Sequence, residues 1–541
     1  MIKGFRQIAL LTFLSRIFGL ARDVCYFYYF GASGLLDAWF IAFKIPNLSR
    51  RLFGEGAASA SLIPVYSQEL QTDRRNAMRL ASTVLSVIFS LLVGIVVTGW
   101  IVIFVYGRVS VPTSETRLVL SLTAVMLPFM IMICMEAILG GVLHVHGHFA
   151  APAAAPIVLN IFVIVAAITG GSILHISQEK HLYMVAVFVL AAGVAQLAIM
   201  VPPLRKHGVT LRPAWAVDTP PFHKVIAMMA PMILGLTATQ INTLCDDLIA
   251  WWFSASAEKG DVFTLLGRQI AYPLRRGSVS HLNGAERIYQ VPLGVLGISL
   301  ATAIFPVMSL DAARKDFKAF GKTLSRGIRG ALFVGIPSTV GMIIVGKLLV
   351  SVAYRHGRFT AEDAEMAAMT LFFYSLGLTG YFIQQIATRA FYALHEPKVP
   401  MRSALIAVTT NVVLNLTLIW VLGTGGLACS TAICSYLQVI ILVVSLRRRL
   451  GPGVLEGLPA ALSKTTVATA AMAAMGLAIH YFCRGMPGTF TSNAIRLALL
   501  VPACAGAFLT VSHLLGIEML SLLTPRRRPA SDKDRAARPL E

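Results

Sequence analysis

The residues best able to do chemistry sit where a hydrophobic chain should not keep them. The stretch DAWFIAFKIPNLSRRLFGEG, residues 37–56, opens like an apolar helix yet holds Asp37, Lys44, Arg50, Arg51 and Glu55. Asp37, Lys44 and Arg51 are spaced seven residues apart, and Glu55 follows four further on. Seven residues turn an α-helix through about 700°, nearly two full turns, so a continuous helix aligns all four on one face. Pro46 interrupts that projection. It supplies no N–H and crowds the carbonyl of residue 42, which predicts a bend beside Asn47. Upstream, Arg16, Arg22 and Asp23 lie in another apolar run, and the same spacing puts Arg16 and Asp23 on a shared face. Asp246–Asp247 and Glu286–Arg287 are further ionisable pairs beside apolar segments.

An ionisable group in hydrocarbon is costly, so it normally faces a cavity, a partner or the aqueous interface. Two readings follow. In one, neighbouring opposite charges neutralise each other and the arginines reach toward the interface. In the other, the basic groups line a hydrated cavity that binds an anion. The surplus of Arg16, Arg22, Arg50 and Arg51 favours a phosphate-bearing guest, because the planar guanidinium fork matches phosphate oxygens. Covalent chemistry has no motif: Walker A, HExxH and GxSxG patterns are absent from the sequence. HVHGH at 144–148 alternates its histidines, which suits a strand better than a helix face, and reads as a polar turn rather than a metal site. Trp251 and Trp252 read as an interface anchor rather than a sugar platform.

The elements that must position these groups follow from composition. The chain has 541 residues, 56% hydrophobic and 13% charged, where a soluble domain is about 25% charged. Mean hydropathy is +0.73. Apolar runs of membrane-spanning length recur throughout, which excludes a soluble protein. The net charge of +21 is explained by basic loops facing an anionic leaflet, with no nucleic-acid partner. The seven cysteines form no CxxC pair or disulfide pattern. The first apolar run holds Arg16 and lacks a small-residue cleavage site, so it reads as a retained helix.

Fourteen spans are expected: 7–30, 33–55, 80–106, 117–143, 153–175, 182–203, 223–252, 288–310, 328–353, 369–394, 401–423, 425–446, 463–483 and 493–517. Basic residues gather in alternate loops, around Arg74–Arg79, Arg205–Arg212, Arg314–Arg329 and Arg447–Arg449, and again in the tail. The positive-inside rule then puts both termini in the cytoplasm. Pieces of the first half recur in the second. SASLIPV (59–65) resembles ATAIFPV (301–307), with Pro64 and Pro306 separated by 242 residues (306 − 64). HVHGHFAAP (144–152) and YALHEPKVP (392–400) have a similar offset. The expected fold is all-α and polytopic, with two pseudo-symmetric six-helix lobes and two C-terminal helices. Residues 1–203 form the N-terminal lobe, 204–222 a cytoplasmic linker, and 223–447 the C-terminal lobe with an extracytoplasmic insertion at 254–285. Residues 448–517 supply helices 13 and 14, and 518–541 a basic cytoplasmic tail. Gly260, Pro273 and Gly277 argue against one continuous helix in the insertion, which is expected to hold a short amphipathic surface segment.

SRIFGLARD (15–23), DAWFIAFKIPNLSRRLFGEGAASASLIPV (37–65), QINTLCD (240–246), VPLGVLGISLATAIFPVMS (291–309) and RAFYALHEPKVP (389–400) carry a resemblance across nearly the whole chain. It is to the MurJ/MviN family of lipid II flippases, in the multidrug/oligosaccharidyl-lipid/polysaccharide exporter superfamily. The resemblance implies two facing lobes, a central cavity for the diphosphate-linked head group, and two last helices bordering a groove for the lipid tail. It implies that Arg16, Arg22, Arg50 and Arg287 bind the diphosphate. Asp23, Asp37, Lys44, Arg51, Glu55, Asp246 and Glu286 would be charge partners and gates, and Pro46 and Asn47 would shape the entrance. The partners implied are lipid II, membrane lipids and proteins of cell-wall synthesis, at the bacterial cytoplasmic membrane. No cofactor is expected; a membrane potential or ion gradient would bias the cycle. Two features depart from the family pattern. The usual YADR-like stretch reads NGAERIY here, with Glu286 in place of Asp, and the insertion at 254–285 is longer than usual. Residues alone leave other lipid-linked oligosaccharide flippases, drug or ion exporters and a non-transporting cell-wall scaffold as alternatives.

Overall fold

The computed structural model of the chain describes residues 2–54, 57–256, 258–265 and 267–522. Glu55 therefore lies outside the described residues. Among the described residues the chain forms seventeen α-helices. In order they are α1 (Ile2–Phe30), α2 (Gly34–Ser49), α3 (Ala57–Thr72), α4 (Arg74–Val109), α5 (Ser114–Val145), α6 (Ala150–Ile168), α7 (Gln178–Lys206), α8 (Pro220–Trp252) and α9 (Ser278–Pro292). Then come α10 (Ile298–Ala313), α11 (Phe317–Tyr354), α12 (Ala361–Leu376), α13 (Leu378–Ala393), α14 (Lys398–Leu422), α15 (Thr424–Leu450), α16 (Leu458–Phe482) and α17 (Phe490–Leu514). Helices satisfy their own backbone groups, which hydrocarbon requires of any spanning segment. Polar side chains start several of them: Ser33 accepts from the Leu36 amide at α2, Asp73 from Arg75 at α4, and Thr113 from Thr116 at α5.

Among the described residues ten helical segments are long and apolar enough to cross a bilayer, and the α12–α13 pair, bent by 42°, makes eleven if it is one span. Each of the fourteen expected spans overlaps helix among the described residues. However, α1, α2 and α8 are outside the set that passes on length and apolarity, so that criterion supports ten or eleven crossings rather than fourteen. One helix, α3, was not expected: it fills the interval between spans two and three.

The register after Asp37 also differs from the expectation. Pro46 lies inside α2 without ending it, and the irregularity comes at a π-helix over Arg50–Gly54. A π turn takes extra residues and rotates whatever follows relative to an α-helical projection. Among the described residues two further π segments occur, Thr169–Ile173 after α6 and Leu293–Gly297, which joins α9 to α10. The first and third π segments begin 243 residues apart (293 − 50), and Pro64 in α3 and Pro306 in α10 follow them. The two halves of the SASLIPV/ATAIFPV repeat thus share one local plan.

Residues 254–277 contain no helix among the described residues, and within the expected 254–285 insertion helix begins only at Ser278. They form a hairpin of β1 (Val262–Leu265) and β2 (Arg268–Ala271), antiparallel, with Val262 opposite Ala271 and Leu265 opposite Arg268. Gly267 takes the positive φ of 78° in the turn. Helix α9 begins at Ser278, ten residues before the expected span, so Glu286 and Arg287 lie within a helix.

The chain divides into two compact units. One comprises residues 1–287, 353–370 and 404–430; the other comprises 288–352, 371–403 and 431–541. In the first, Phe27 is fully buried and sets its ring 4.5 Å from Tyr354 and 4.9 Å from Phe359. Gly31 closes α1 at φ 61°, and a Cβ there would stand 2.7 Å from the Arg358 carbonyl. In the second, Phe333 of α11, Met472 of α16 and Leu500, Cys504 and Phe508 of α17 form a shared core.

A candidate anion site in the first unit

Arg22 and Asp23 lie in the C-terminal third of α1. Arg22 donates to Asp23 Oδ1 through Nε (3.0 Å) and Nη2 (2.7 Å), and to Asn160 Oδ1 of α6 through Nη1 (3.2 Å). Its guanidinium also lies 5.8 Å from the Tyr26 ring centroid. The second oxygen of Asp23 faces Arg287 Nε of α9 at 3.4 Å. Asp23 is buried, whereas the Arg287 side chain is 45% exposed. Two guanidinium groups thus share one carboxylate, which leaves one formal positive charge, and the more exposed guanidinium is the one with free donor edges. Such a group suits an anion with several oxygen acceptors.

Asn160 was missed by sequence reasoning. Its signal was available: it is an amide alone in the apolar run PIVLNIFVIV, and polar groups in spanning helices are rare without a role. Its Nδ2 donates to the Ser15 carbonyl at 3.4 Å, so it links two turns of α1. Gly19, between those turns, admits α6 at van der Waals distance.

A second cluster joins α2 to α8. Lys44 pairs with Asp247 and donates to the Thr243 carbonyl at 3.1 Å. Asn283 of α9 approaches Asp247 at 3.5 Å. Asp246 accepts from Asn415 of α14 at 2.5 Å, and Asn415 in turn bonds Asn411 at 3.0 Å. Arg51 Nη1 donates to Gln240 Oε1 of α8 at 2.9 Å. Arg50 is half-buried and bonds Asn47 Oδ1 through Nε and Nη2, at 3.1 and 3.0 Å. Lys44 and Arg51 therefore both meet α8, while Arg50 meets Asn47 of its own segment.

Asp37 has a different kind of partner. It is 1% exposed and accepts from the Gly277 amide (2.8 Å), the Ser280 amide (2.7 Å) and the Ser280 hydroxyl (2.6 Å). A carboxylate from α2 thus satisfies the open amides at the start of α9, where the helix dipole favours negative charge. Arg16 is exposed and Asp23 buried, although α1 runs unbroken through both. The two are about 10 Å apart along the axis, and the cover over Asp23 does not extend that far. Glu286 is half-buried beside Arg287 in α9.

The histidines of HVHGH do not form a strand. His144 is in the last turn of α5, His146 caps it, and Gly147 turns the chain at φ 73°. Tyr66 OH lies 2.9 Å from His146 Nε2, and the His207 ring is 5.8 Å from His146 and 5.9 Å from His148. Burial, with His207 and Arg74 nearby, holds His146 below its ordinary range; burial, His207 and Lys206 do the same to His148. No group of three or more His, Cys, Asp or Glu able to hold a metal occurs among the described residues.

Repeated apolar helices of spanning length define a multi-pass membrane protein. The solved structures it resembles agree on the fold. One, described as lipid II flippase MurJ in an inward closed conformation, superposes with a TM-score of 0.74 at 23% identity, covering 96% of this chain and 99% of its own. An inward-facing multidrug resistance transporter of the MOP superfamily gives 0.62 at 13% identity, covering 81% and 95%. The family model "Lipid II flippase MurJ" matches residues 27–496, and the chain belongs to that family. A probable lipid II flippase MurJ of Vibrio cholerae is 28% identical over 546 residues, covering 96% of this chain and 97% of its own. The lipid II flippase MurJ of Burkholderia cenocepacia is 28% identical over 459 residues, covering 83% and 84%. Membership makes this a multi-pass protein of the bacterial inner membrane.

Proposed function

We propose that the protein carries lipid II from the cytoplasmic to the outer leaflet of the bacterial cytoplasmic membrane by alternating access. The observation that carries this is the Arg22–Asp23–Arg287 group, two arginines on one buried carboxylate, in a chain of the lipid II flippase family. Arg22 and Arg287 take the diphosphate, with Arg16 and Arg50 guiding it. Asp23 keeps the two guanidinium groups apart and oriented, and it holds their net charge low enough for release. Asp37, Lys44, Arg51, Glu55, Asp246 and Glu286 hold or part the surrounding helices, and Pro46 and Asn47 set the entrance beside Arg50. Both termini face the cytoplasm. The lobes at 1–203 and 223–447 rock about the site, helices 13 and 14 border the lipid tail, and the basic tail meets anionic lipid. Neighbouring partners are membrane lipids and cell-wall synthesis proteins. The protein is a transporter rather than an enzyme and uses no bound cofactor. A membrane potential or ion gradient biases the cycle, since one elementary charge crossing 100 mV is worth about 2.3 kcal/mol.

Binding of lipid II to purified protein tests the site. Charge-assisted hydrogen bonds contribute about 1.5–3 kcal/mol, so Arg22→Ala and Arg287→Ala should each weaken binding about tenfold or more. Affinity unchanged in both variants would remove the diphosphate role.

A further inference from the structure

The segment between α8 and α9 is tied to three other helix ends of its own unit. Glu258 Oε2 accepts from the Ser114 amide at the start of α5 at 2.6 Å, and Arg276 pairs with Glu115 in the same turn. Arg275 Nη1 pairs with Glu362 Oε1 at the start of α12, 2.7 Å apart. Phe253 and Phe263 set their rings 5.8 and 6.1 Å from Trp420 near the end of α14, and Tyr272 packs 5.0 Å from Phe263. At the base, the Ala255 amide donates to the Leu274 carbonyl at 2.9 Å. The segment ends at Gly277, which with Ser280 bonds Asp37.

These attachments differ in kind. The aromatic cluster on Trp420 is apolar and indifferent to salt. The ionic ties are exposed: Arg275 and Glu362 by 77% and 70%, and Arg276 by 44%. Exposed pairs are individually weak and are screened by salt. Glu258 lies at the N-terminus of α5, where open amides favour a carboxylate. Hydrogen bonds from the Ser114 side chain and amide hold it below the usual carboxylate range. The segment therefore combines an apolar anchor on Trp420 with reversible fastenings to α5 and α12.

We propose that residues 254–277 are an extracytoplasmic strap, hinged on Trp420 and fastened to α5 and α12 by Glu258, Arg276 and Arg275. The fastening sets how readily the first turn of α9 leaves Asp37. The strap opens without unfolding because the aromatic anchor stays in place. This assignment rests on the alternating-access reading, in which the outer ends of these helices must part.

Amide hydrogen exchange at residues 277–281, in the full-length protein in lipid nanodiscs without lipid II, tests the strap. At about 20 mM salt, Glu258→Gln combined with Arg276→Gln should speed exchange about two- to fivefold. The native protein should approach the variant at about 500 mM salt. The reciprocal swap Glu115→Arg with Arg276→Glu should return exchange toward the native rate. Exchange indifferent to salt and to the double substitution, or a swap that restores nothing, would overturn the strap. A chain that moves no lipid II would leave a positive exchange result standing, so the two failures are distinguishable.

Discussion

Arg22 is fixed on two sides, by Asp23 through Nε and Nη2 and by Asn160 through Nη1. Its direction therefore depends on an amide from another helix as much as on its own carboxylate neighbour. Asn160→Ala keeps the pair with Asp23 but frees the guanidinium to swing, and lipid II affinity should fall about fivefold, roughly one neutral-acceptor hydrogen bond. Asn160→Asp keeps the acceptor but cancels the site's net charge, so it should be the more damaging change. Titration calorimetry with both variants checks the order, and equal losses would speak against the charge argument. A pH prediction follows from the histidine corner. His146 and His148 are held below the ordinary value of 6.5, so the folded corner binds fewer protons than an open one. Its stability is present above that range and is lost as pH falls through and below it. Exchange of the 142–152 amides, corrected for intrinsic rate, should quicken between about pH 7.5 and 5.5. It should flatten when both histidines are replaced by Gln.

Among the elements, the start of α9 is the most constrained. Gly277 has φ 84°, and a Cβ there would come 2.3 Å from the Ala32 carbonyl oxygen. Gly277→Ala should destabilise the protein by at least about 1–2 kcal/mol from backbone conformation alone, read as a lower thermal midpoint. A midpoint equal to native would contradict that packing. Sequence legibility divides along physical lines here. Helices long enough to cross lipid announce themselves by hydropathy, whereas α1, α2 and α8, three of the fourteen expected spans, do not pass on length and apolarity. Helix α3 was missed because AASASLIPVYSQELQT is short and mixed in polarity. Lys44 and Arg51, put on one face by their spacing, both meet α8, although Arg51 lies in the π segment beyond Ser49. For Arg16 and Asp23 on the unbroken α1 the same spacing says nothing of burial, since periodicity gives direction and not the depth of cover. Asp37 looked like a charge partner but caps a helix that starts 241 residues later (278 − 37). No local pattern records such a long-range contact.

At the scale of the whole molecule, the chain spends its apolar residues on crossings and concentrates the described buried charges of the first unit in a few pairs. Asp23, Asp37, Asp246 and Asp247 are all buried there, each with a named donor. Removing a donor leaves a charge that hydrocarbon does not solvate, so Lys44→Met should cost about 3–5 kcal/mol. A loss within error of a surface substitution would mean that Asp247 finds another partner. The duplicated π segments and prolines were foreshadowed by the Pro64 and Pro306 match, but the π turns themselves leave no mark in the sequence. The anion was not legible in the residues alone either; spacing and charge pointed to a polyanion, and family membership supplied lipid II. The most direct test of the transport claim uses purified protein in vesicles with labelled lipid II, following head-group accessibility on each leaflet under an imposed potential. The account predicts faster equilibration than in protein-free vesicles, abolished when Arg22 and Arg287 are both replaced by Ala. Equilibration no faster than in protein-free vesicles would contradict the flippase reading, and undiminished transport in the double variant would contradict the site.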